Sequence, residues 1–322
     1  MDLLDCLQHR RLGETFPLPA DAPFTFAAAR ESGVSRRQLR DLVEHGLLRR
    51  PLRGVYVAAA LRDDVALRAA CLALVVPPDC VVVDRHAGWL LGAEMVLAPG
   101  EHLDLRPLSL FRPSGHGRLR NGLADSGERN LTRGDVTEVH GLAVTTPIRT
   151  AWDLGRVRWT DEAITGLDAM LRTGAFTREE LLAGVERFRG MRWVRTLRAV
   201  APHADGRSES PGESVLRLRC IDNGVLTMRP QVEVWDRGRF VARLDLGDED
   251  LAGGFEYDGD EWHTSPEQRA HDRDRRTATA DAGWLVEPFV AADVFGPRRT
   301  CDRRIVELVQ RARVRRGLSR WI

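Results

Sequence analysis

The strongest constraint on the fold is a run of strand-like segments in the last third of the chain. Three segments with alternating apolar and polar residues, QVEVWD, FVARLDL and GGFEYDG, follow one helical segment and precede another. Alternation with a period of two is typical of strands with one buried face. An apolar strand, WLVEPFV, and an amphipathic terminal helix complete the series. The order helix, three strands, helix, strand, helix predicts an α/β domain over residues 209–322.

The first block, about residues 1–58, has the order helix, turn, helix, hairpin. Ser35 followed by Gln38 is a capping box that opens the second helix, and Gly46 is its expected stop. LLRRPLRGVYV then indicates two strands around a turn at Arg53–Gly54. This order predicts a winged helix-turn-helix domain.

Arginines crowd the second helix and the wing of this block. In a winged helix these elements meet the major groove and the backbone of double-stranded DNA, where arginine neutralises phosphate and reads guanine. A winged helix that contacts only proteins is the alternative. The predicted nucleic-acid-binding residues are Arg36, Arg37, Arg40, Arg49, Arg50 and Arg53.

The middle block, about residues 59–205, mixes strands and helices, and we assign it no chemistry. HLDLRP indicates a strand, a hairpin is expected to turn at His140–Gly141, and several helices follow Pro147. Arg149 and Asp153 have the spacing of an ion pair across one helical turn, and His86 is expected to pack or cap. The small, polar residues 204–212 are typical of a linker. The chain is therefore predicted to be multidomain α+β, with domains 1–58, 59–205 and 209–322.

Composition excludes several kinds of site. All 48 basic residues are arginine, so no active site can depend on lysine. The five cysteines are dispersed without a CxxC pair, which argues against a disulfide framework or a zinc knuckle. No stretch approaches the roughly 18 apolar residues of a membrane helix, and no secretory signal is visible. We expect a cytoplasmic protein without a membrane partner.

Carboxylates gather where two of the C-terminal strands meet. Glu256 and Asp258 alternate onto one face of a strand, and a hairpin brings Asp245 close to them. Such oxygens suit Mg²⁺ or Mn²⁺, with Asp245 and Glu256 as the metal ligands. His263 follows closely enough to act as a general base or acid.

Simpler roles stand beside these functional ones. Glu213 is placed for a capping box, Asp258 precedes a glycine as in a turn, and residues 248–250 read as a solvated turn. An exposed His263 would be unremarkable by itself.

The C-terminal segment GESVLRLRCIDNG…RPQVEV…FVARLDL…FEYDGDEWH…DRDR…GWLV resembles the very-short-patch-repair-like branch of the PD-(D/E)xK endonucleases. The resemblance implies a restriction-endonuclease-like domain that hydrolyses phosphodiesters with metal assistance, with His263 shuttling a proton and Glu213 assisting through water. The lysine of the wider superfamily is missing, and Asp258 occupies its place. The matching positions are Glu213, Gln231, Asp245, Glu256, Asp258, Gly259, His263, Asp272, Arg275, Gly283 and Trp284.

The N-terminal segment VSRRQLRDLVEHGLLRRPLRGVYV resembles the N-terminal domain of AbiEi-family antitoxins, which act as DNA-binding repressors. The middle block resembles the central region of such fusion proteins through VVDRHAGWLLGAE and TTPIRTAWDLGR. These resemblances imply a toxin–antitoxin or phage-defence context, with a cognate toxin or a second copy as a further partner.

Three functions follow from these observations. The leading hypothesis is a Mg²⁺-dependent endonuclease or nickase directed to DNA. The alternative is a non-catalytic, antitoxin-like transcriptional regulator with a degenerate nuclease fold, and a third is an RNA-directed nuclease. The arginines of the terminal helix either hold DNA backbone or form a solvated face; they are Arg303, Arg304, Arg311, Arg313, Arg315 and Arg316.

Overall fold

The protein has a mixed α/β fold, as predicted. A computed structural model describes residues 3–13, 16–93, 107–119, 124–259 and 275–318. The chain divides into two compact units, Met1–Leu154 and Gly155–Ile322. In the part of the chain that the structure describes, no helix combines the length and apolar character needed to cross a membrane.

The N-terminal unit begins with the predicted winged helix-turn-helix order. Its elements are α1 (Leu3–His9), β1 (Phe24–Thr25), α2 (Phe26–Glu31), α3 (Arg36–Glu44), β2 (Leu48–Leu52) and β3 (Val55–Ala58). The Ser35 hydroxyl accepts a hydrogen bond from the Gln38 N–H, and the side-chain Oε1 of Gln38 accepts one from the Ser35 N–H. This reciprocal pair starts α3. The strands form a sheet in the order β1-β3-β2, and Leu39, Leu42 and Leu48 fill the core beneath it.

The rest of this unit is a second sheet with its own core. Its elements are α4 (Val65–Ala73), β4 (Val81–Val82), α5 (Asp84–Leu90), β5 (Leu108–Pro113), β6 (Ala124–Arg129), β7 (Val136–Val139), β8 (Leu142–Thr145) and α6 (Pro147–Gly155). The sheet order is β6-β5-β4-β8-β7. The hairpin turns at His140 (φ 47°) and Gly141 (φ 80°), as predicted. The strand expected at HLDLRP falls mainly on residues outside the described ones, and β5 begins at Leu108.

Buried ion pairs tie this second sheet to its helices. Arg149 Nε donates to Asp153 Oδ2 at 2.8 Å, which confirms the predicted pair. Arg149 also lies 3.0 Å from Asp135. Arg129 bridges Asp153 at 2.9 Å and Asp84 at 2.6 Å. Each charge has a partner, so the network is structural.

The C-terminal unit contains the predicted series of helices and strands. The elements are α7 (Thr160–Arg172), α8 (Arg178–Ala183), α9 (Val194–Val200), α10 (Pro211–Asp222), β9 (Arg229–Asp236), β10 (Arg239–Asp248), β11 (Gly253–Asp258), α11 (residues 275–281), β12 (Leu285–Val290), α12 (Ala291–Val294) and α13 (Cys301–Arg315). The sheet order is β12-β11-β10-β9. Strands β9, β10 and β11 are antiparallel, whereas β12 runs parallel to β11 after the crossover through α11.

The segment interpreted as a linker is packed into the C-terminal unit. The Asp205 N–H donates to the carboxylate of Asp168 at 2.8 Å, and Ser208 is fully buried. Arg217 of α10 pairs with the same Asp168 at 2.5 Å. The linker interpretation is therefore wrong, because part of the segment is buried and its backbone donates to a carboxylate on α7. The compact unit starts at Gly155, before the helices that precede α10.

Candidate functional site

The acidic site lies where strands β10 and β11 separate. Their paired register ends with Leu246 opposite Phe255, and one further step would place Asp245 opposite Glu256. At that step Oδ2 of Asp245 accepts a 2.7 Å hydrogen bond from the Tyr257 N–H. The side chain of Asp245 thus occupies the place of a ladder acceptor and is held at the fork.

Glu256 and Asp258 share one face of β11, as the alternation predicts. Phe255 points to the opposite face, where its ring packs against Phe289 with the centroids 5.6 Å apart. Glu256 is only 6% exposed and lies 3.4 Å from Arg275, whereas Asp258 is exposed and lies 3.3 Å from Arg276. Each carboxylate of this face therefore meets an arginine from α11.

Glu213 approaches from the first turn of α10. Ser210 is the N-cap of this helix, and its hydroxyl accepts from the Glu213 N–H at 3.2 Å. The Glu213 carboxylate accepts from the Glu209 N–H at 2.8 Å and from the side-chain amide of Gln231 at 2.9 Å. Glu213 therefore connects the first turn of α10 to β9, in addition to its predicted place at the helix cap.

Two backbone features allow this close assembly. A Cβ on Gly212 would lie 2.1 Å from the Tyr257 ring, so only glycine lets α10 approach β11 this closely. Gln231 has a φ of 57°, in the left-handed region that non-glycine residues rarely adopt. Strain of this kind is concentrated at functional sites. Here it accompanies a side chain that reaches Glu213.

Four carboxylates at the site, Glu213, Asp245, Glu256 and Asp258, face two arginines, Arg275 and Arg276. Burial raises the pKa of Asp245, of Glu256 and of Glu213. The charge of Asp245 raises the pKa of both glutamates further, and Asp258 does the same to Asp245 and Glu256. Arg275 opposes this by lowering the pKa of Asp245 and Glu256. Carboxylates so arranged favour a bound cation.

The donor set fits a hard, water-rich cation. Mg²⁺ is held by one or two carboxylates together with water and phosphate oxygens. Asp245 and Glu256 can supply such a pair. Among the described residues no group of three or more His, Cys, Asp or Glu side chains is arranged to hold a metal ion. A closed protein cage is thus not formed by these residues. His263 and Asp272 lie outside the described residues, so their roles stay predictions.

The turn between β10 and β11 differs in one respect from expectation. Asp248 is buried, and its Oδ1 accepts from the Leu251 N–H at 3.1 Å. Glu249 and Asp250 are exposed. Glu249 and Asp250 are therefore solvated as predicted, whereas the side chain of Asp248 is buried and closes the turn.

The arginines of α3 face solvent. Arg36, Arg37 and Arg40 are exposed, and Arg40 makes only a 3.9 Å surface pair with Glu44. The guanidinium of Arg36 lies 4.8 Å from the ring centre of Phe26. These three arginines therefore lie on an exposed face of the helix and give it positive charge.

The wing arginines divide into two kinds. Arg53 is exposed at the β2–β3 turn, and Arg50 lies over the Tyr56 ring at 5.8 Å. Arg49 instead donates to the Leu61 carbonyl at 2.6 Å and lies 3.9 Å from Asp63. Arg49 therefore has a structural use within the chain, which its position in the arginine cluster does not reveal.

Several arginines of α13 are also paired within the chain. Arg304 lies 2.9 Å from Glu287 and 3.0 Å from Asp293, and Arg303 lies 3.5 Å from Glu307. These contacts favour a solvated, self-compensated face over a backbone-binding one.

Two features near the site were not predicted from the sequence, because neither belongs to a recognised motif. Arg276 pairs with Asp258, yet it is one of many arginines in the chain. Trp235 and Phe240 flank the β9–β10 turn as an exposed pair. For the aromatic pair, the sequence does contain a signal: one aromatic residue on each side of an Asp-Arg-Gly-Arg turn.

Comparison with known proteins adds two findings. Residues 22–59 match the family described as a transcriptional regulator, AbiEi antitoxin. Two Mycobacterium tuberculosis proteins, MT2308 of strain CDC 1551 and Rv2248 of strain H37Rv, are similar to this chain, and both are described as uncharacterised. Each is 30% identical over 281 residues, which covers 87% of this chain and 99% of the relative. No solved structure matches.

Proposed function

We propose that this chain, which belongs to the family of MT2308 and Rv2248, is a DNA-binding endonuclease or nickase. The observation that carries the proposal is the convergence of Glu213, Asp245, Glu256 and Asp258 at one fork of the C-terminal sheet. The AbiEi antitoxin match over residues 22–59 supports a DNA-binding N-terminus. It also supports a toxin–antitoxin context. A phage-defence role, and a toxin or a second copy as partner, belong to the proposal.

The roles of the acidic residues follow from their contacts. Asp245 and Glu256 would hold Mg²⁺ or Mn²⁺. When bound, such an ion polarises the phosphate and lowers the pKa of water. The Tyr257 N–H fixes one oxygen of Asp245, and Gln231 fixes the carboxylate of Glu213. His263 is assigned the proton transfer, and Asp258 stands at the superfamily lysine position.

The cations beside the site cannot act as bases. The guanidinium groups of Arg275 and Arg276 carry hydrogen-bond donors and no acceptor. Their contacts with Glu256 and Asp258 therefore serve to orient and neutralise. Proton transfer must come from the carboxylates, from water or from His263.

DNA targeting is assigned to the winged helix-turn-helix. Arg36, Arg37 and Arg40 present an open cationic face on α3, and Arg53 stands at the wing turn. These positions suit phosphate contacts and base contacts in the major groove of double-stranded DNA.

A second function is favoured by a different observation. Arg275 and Arg276 pair with Glu256 and Asp258 within the chain, so these acids are partly compensated without a metal. That arrangement also suits an antitoxin-like transcriptional regulator whose nuclease fold has no activity. Such a protein would bind an operator with strong salt dependence and would be indifferent to changes at Asp245.

Nicking of supercoiled plasmid by the full chain tests the proposal. Wild type should relax the plasmid with Mg²⁺ or Mn²⁺ and stop in EDTA. Asp245→Asn should be inactive, while Glu249→Gln, an exposed acid in the adjoining turn, should retain activity. Equal inactivity of wild type and Asp245→Asn on duplex DNA, single strands and RNA would refute the nuclease. Cleavage of RNA alone would replace DNA by RNA as the substrate.

Operator binding tests the DNA-binding surface that both proposed functions share. Neutralising Arg36, Arg37 and Arg40 together should weaken binding and flatten its salt dependence by about 0.9 in log–log slope per lost phosphate contact. Exposed Arg303→Gln on α13 is the matched control. Unchanged binding in the triple variant would remove α3 from the interface.

A further inference from the structure

An exposed aromatic pair stands at the tip of the β9–β10 hairpin. Trp235 and Phe240 are directly opposite each other in the register, with ring centroids 5.6 Å apart and planes at 77°. Trp235 is 55% exposed and Phe240 is 49% exposed. Neighbouring large rings left in water together, away from any core, indicate a binding surface.

This pair lies on the side of the hairpin from which Glu213 reaches the site. The Trp235 indole N–H donates to Glu233 at 3.0 Å, and Glu233 is opposite Arg243 in the register. Arg243 lies 2.9 Å from Glu209, whose N–H donates to Glu213. Polar side chains therefore line the surface from the rings to the acidic site, with Glu233 and Arg243 as cross-strand neighbours.

The separation suits a strand of nucleic acid. Trp235 is four strand residues from Gln231, which corresponds to about 13 Å at roughly 3.3 Å per residue. Four stacked nucleotides span a similar length, at about 3.4 Å each. A nucleic-acid strand with one base stacked on Trp235 and Phe240 would thus extend over the carboxylates of the acidic site.

The charges around the turn favour phosphate. Arg237 and Arg239 are exposed beside the rings, and Arg243 stands between the rings and the site. The acids on this stretch are Glu233, Asp236, which lies 4.0 Å from Arg237, and Glu209, which pairs with Arg243. At the turn, two arginines against one acid leave net positive charge beside the rings, where a polyanion would enter.

We infer that the Trp235–Phe240 pair is a stacking platform for unpaired nucleobases of a strand that leads to the acidic site. Aromatic faces bind bases of any identity, so the platform selects unpaired strand over intact duplex. This inference rests on the proposed function, whose substrate class it narrows to nucleic acid with an unpaired segment.

Binding of a labelled oligothymidylate of about 12 nucleotides, within the usual site size of a single-strand groove, tests the platform. The full chain is used in EDTA and in the Arg36, Arg37, Arg40 triple-glutamine background, which removes the winged-helix contribution. Trp235→Ala and Phe240→Ala should each weaken binding about tenfold. Trp235→Phe should retain most of the affinity.

Trp159→Ala is the matched control, because Trp159 is 57% exposed in the same unit but lies on the approach to α7. The Trp159→Ala variant should bind the oligothymidylate with the same affinity as the triple-glutamine background protein. Equal affinity in Trp235→Ala, or no binding by the background protein at all, overturns the platform.

The outcomes separate this inference from the nuclease itself. Loss of oligothymidylate binding in Trp235→Ala, together with an inert wild type in the nicking assay, keeps the platform and removes the reaction. Nicking by wild type with unchanged oligothymidylate binding in Trp235→Ala keeps the reaction and removes the platform.

Discussion

The N–H of Tyr257 donates a 2.7 Å hydrogen bond to Oδ2 of Asp245, at the point where strands β10 and β11 stop pairing. A backbone donor that would otherwise face an open fork is thereby satisfied. The same bond fixes the direction of the carboxylate that the proposed metal site needs most. Strand pairing and site geometry are therefore determined by one contact.

Cation binding should be visible as stabilisation of the fold. Repulsion among Asp245, Glu256 and Glu213 destabilises their charged forms, so Mg²⁺ should raise the melting temperature of wild type by a few degrees, on the order of 2–3 kcal/mol at saturation. Asp245→Asn should melt higher than wild type in EDTA and lose the metal response. Differential scanning fluorimetry measures both, with Glu249→Gln as the control. An equal Mg²⁺ shift in all three proteins would place the ion elsewhere.

Gly212→Ala should damage the site through packing. The added methyl group would overlap the Tyr257 ring, so we expect a loss of about 1–3 kcal/mol from overpacking. Urea unfolding measures it, and the cost should shrink in a Tyr257→Ala background. Gly134→Ala, where the nearest atom is 4.0 Å away, is the control. Equal costs for Gly212→Ala in both backgrounds would mean that the ring is not the obstacle.

Asp153→Asn should unfold the N-terminal unit more easily. Arg149 and Arg129 would each lose one carboxylate and keep the other, Asp135 and Asp84. The cost should therefore lie below about 3–5 kcal/mol, which is the cost of a buried pair that loses its whole counter-charge. The midpoint of urea unfolding reports the loss. The exposed pair between Glu186 and Arg198 provides the comparison, and Glu186→Gln should leave the midpoint unchanged. A similar midpoint for Asp153→Asn and wild type would show that the network relaxes around the gap.

His86 should make the stability of the protein depend on pH. Its Nδ1 accepts from the Ser109 N–H at 3.1 Å, and burial together with the charge of Arg85 lowers its pKa to about 3 from 6.5. The unfolded chain therefore binds a proton at His86 more readily than the folded chain does. The stabilisation that comes from keeping His86 neutral is complete above pH 6.5 and is lost as the pH falls toward 3. The slope is about 1.4 kcal/mol per pH unit within that window.

His86→Asn supplies an uncharged acceptor and should remove this slope from urea titrations between pH 4 and 6 (about the middle of the window). Exposed His45→Asn is the control and should leave the profile unchanged. An unaltered slope in His86→Asn would assign the acid sensitivity to other groups.

Local features of the fold could be predicted because their causes are local. The Ser35–Gln38 capping box and the His140–Gly141 turn each depend on residues a few positions apart. The order of C-terminal strands follows from alternation, and this order is what brings Asp245 near Glu256. The AbiEi-like N-terminus is likewise confirmed over residues 22–59.

Features that depend on distant partners could not be predicted in this way. Residues 204–212 have a linker composition, yet Asp168, some 37 positions before Asp205, orders them. The left-handed backbone of Gln231 and the burial of Asp248 likewise arise from tertiary contacts. Arg49 looks like its neighbours in the arginine cluster, and only the fold assigns it to the Leu61 carbonyl.

The packed segment before α10 also determines how this protein can be recombined in evolution. A gene fusion that joined a new partner at residue 209 would separate Arg217 from Asp168 and leave a guanidinium buried without its counter-charge. A fusion at residue 155 would keep that pair together. Helices α7–α10 and the sheet should therefore be inherited together as one block.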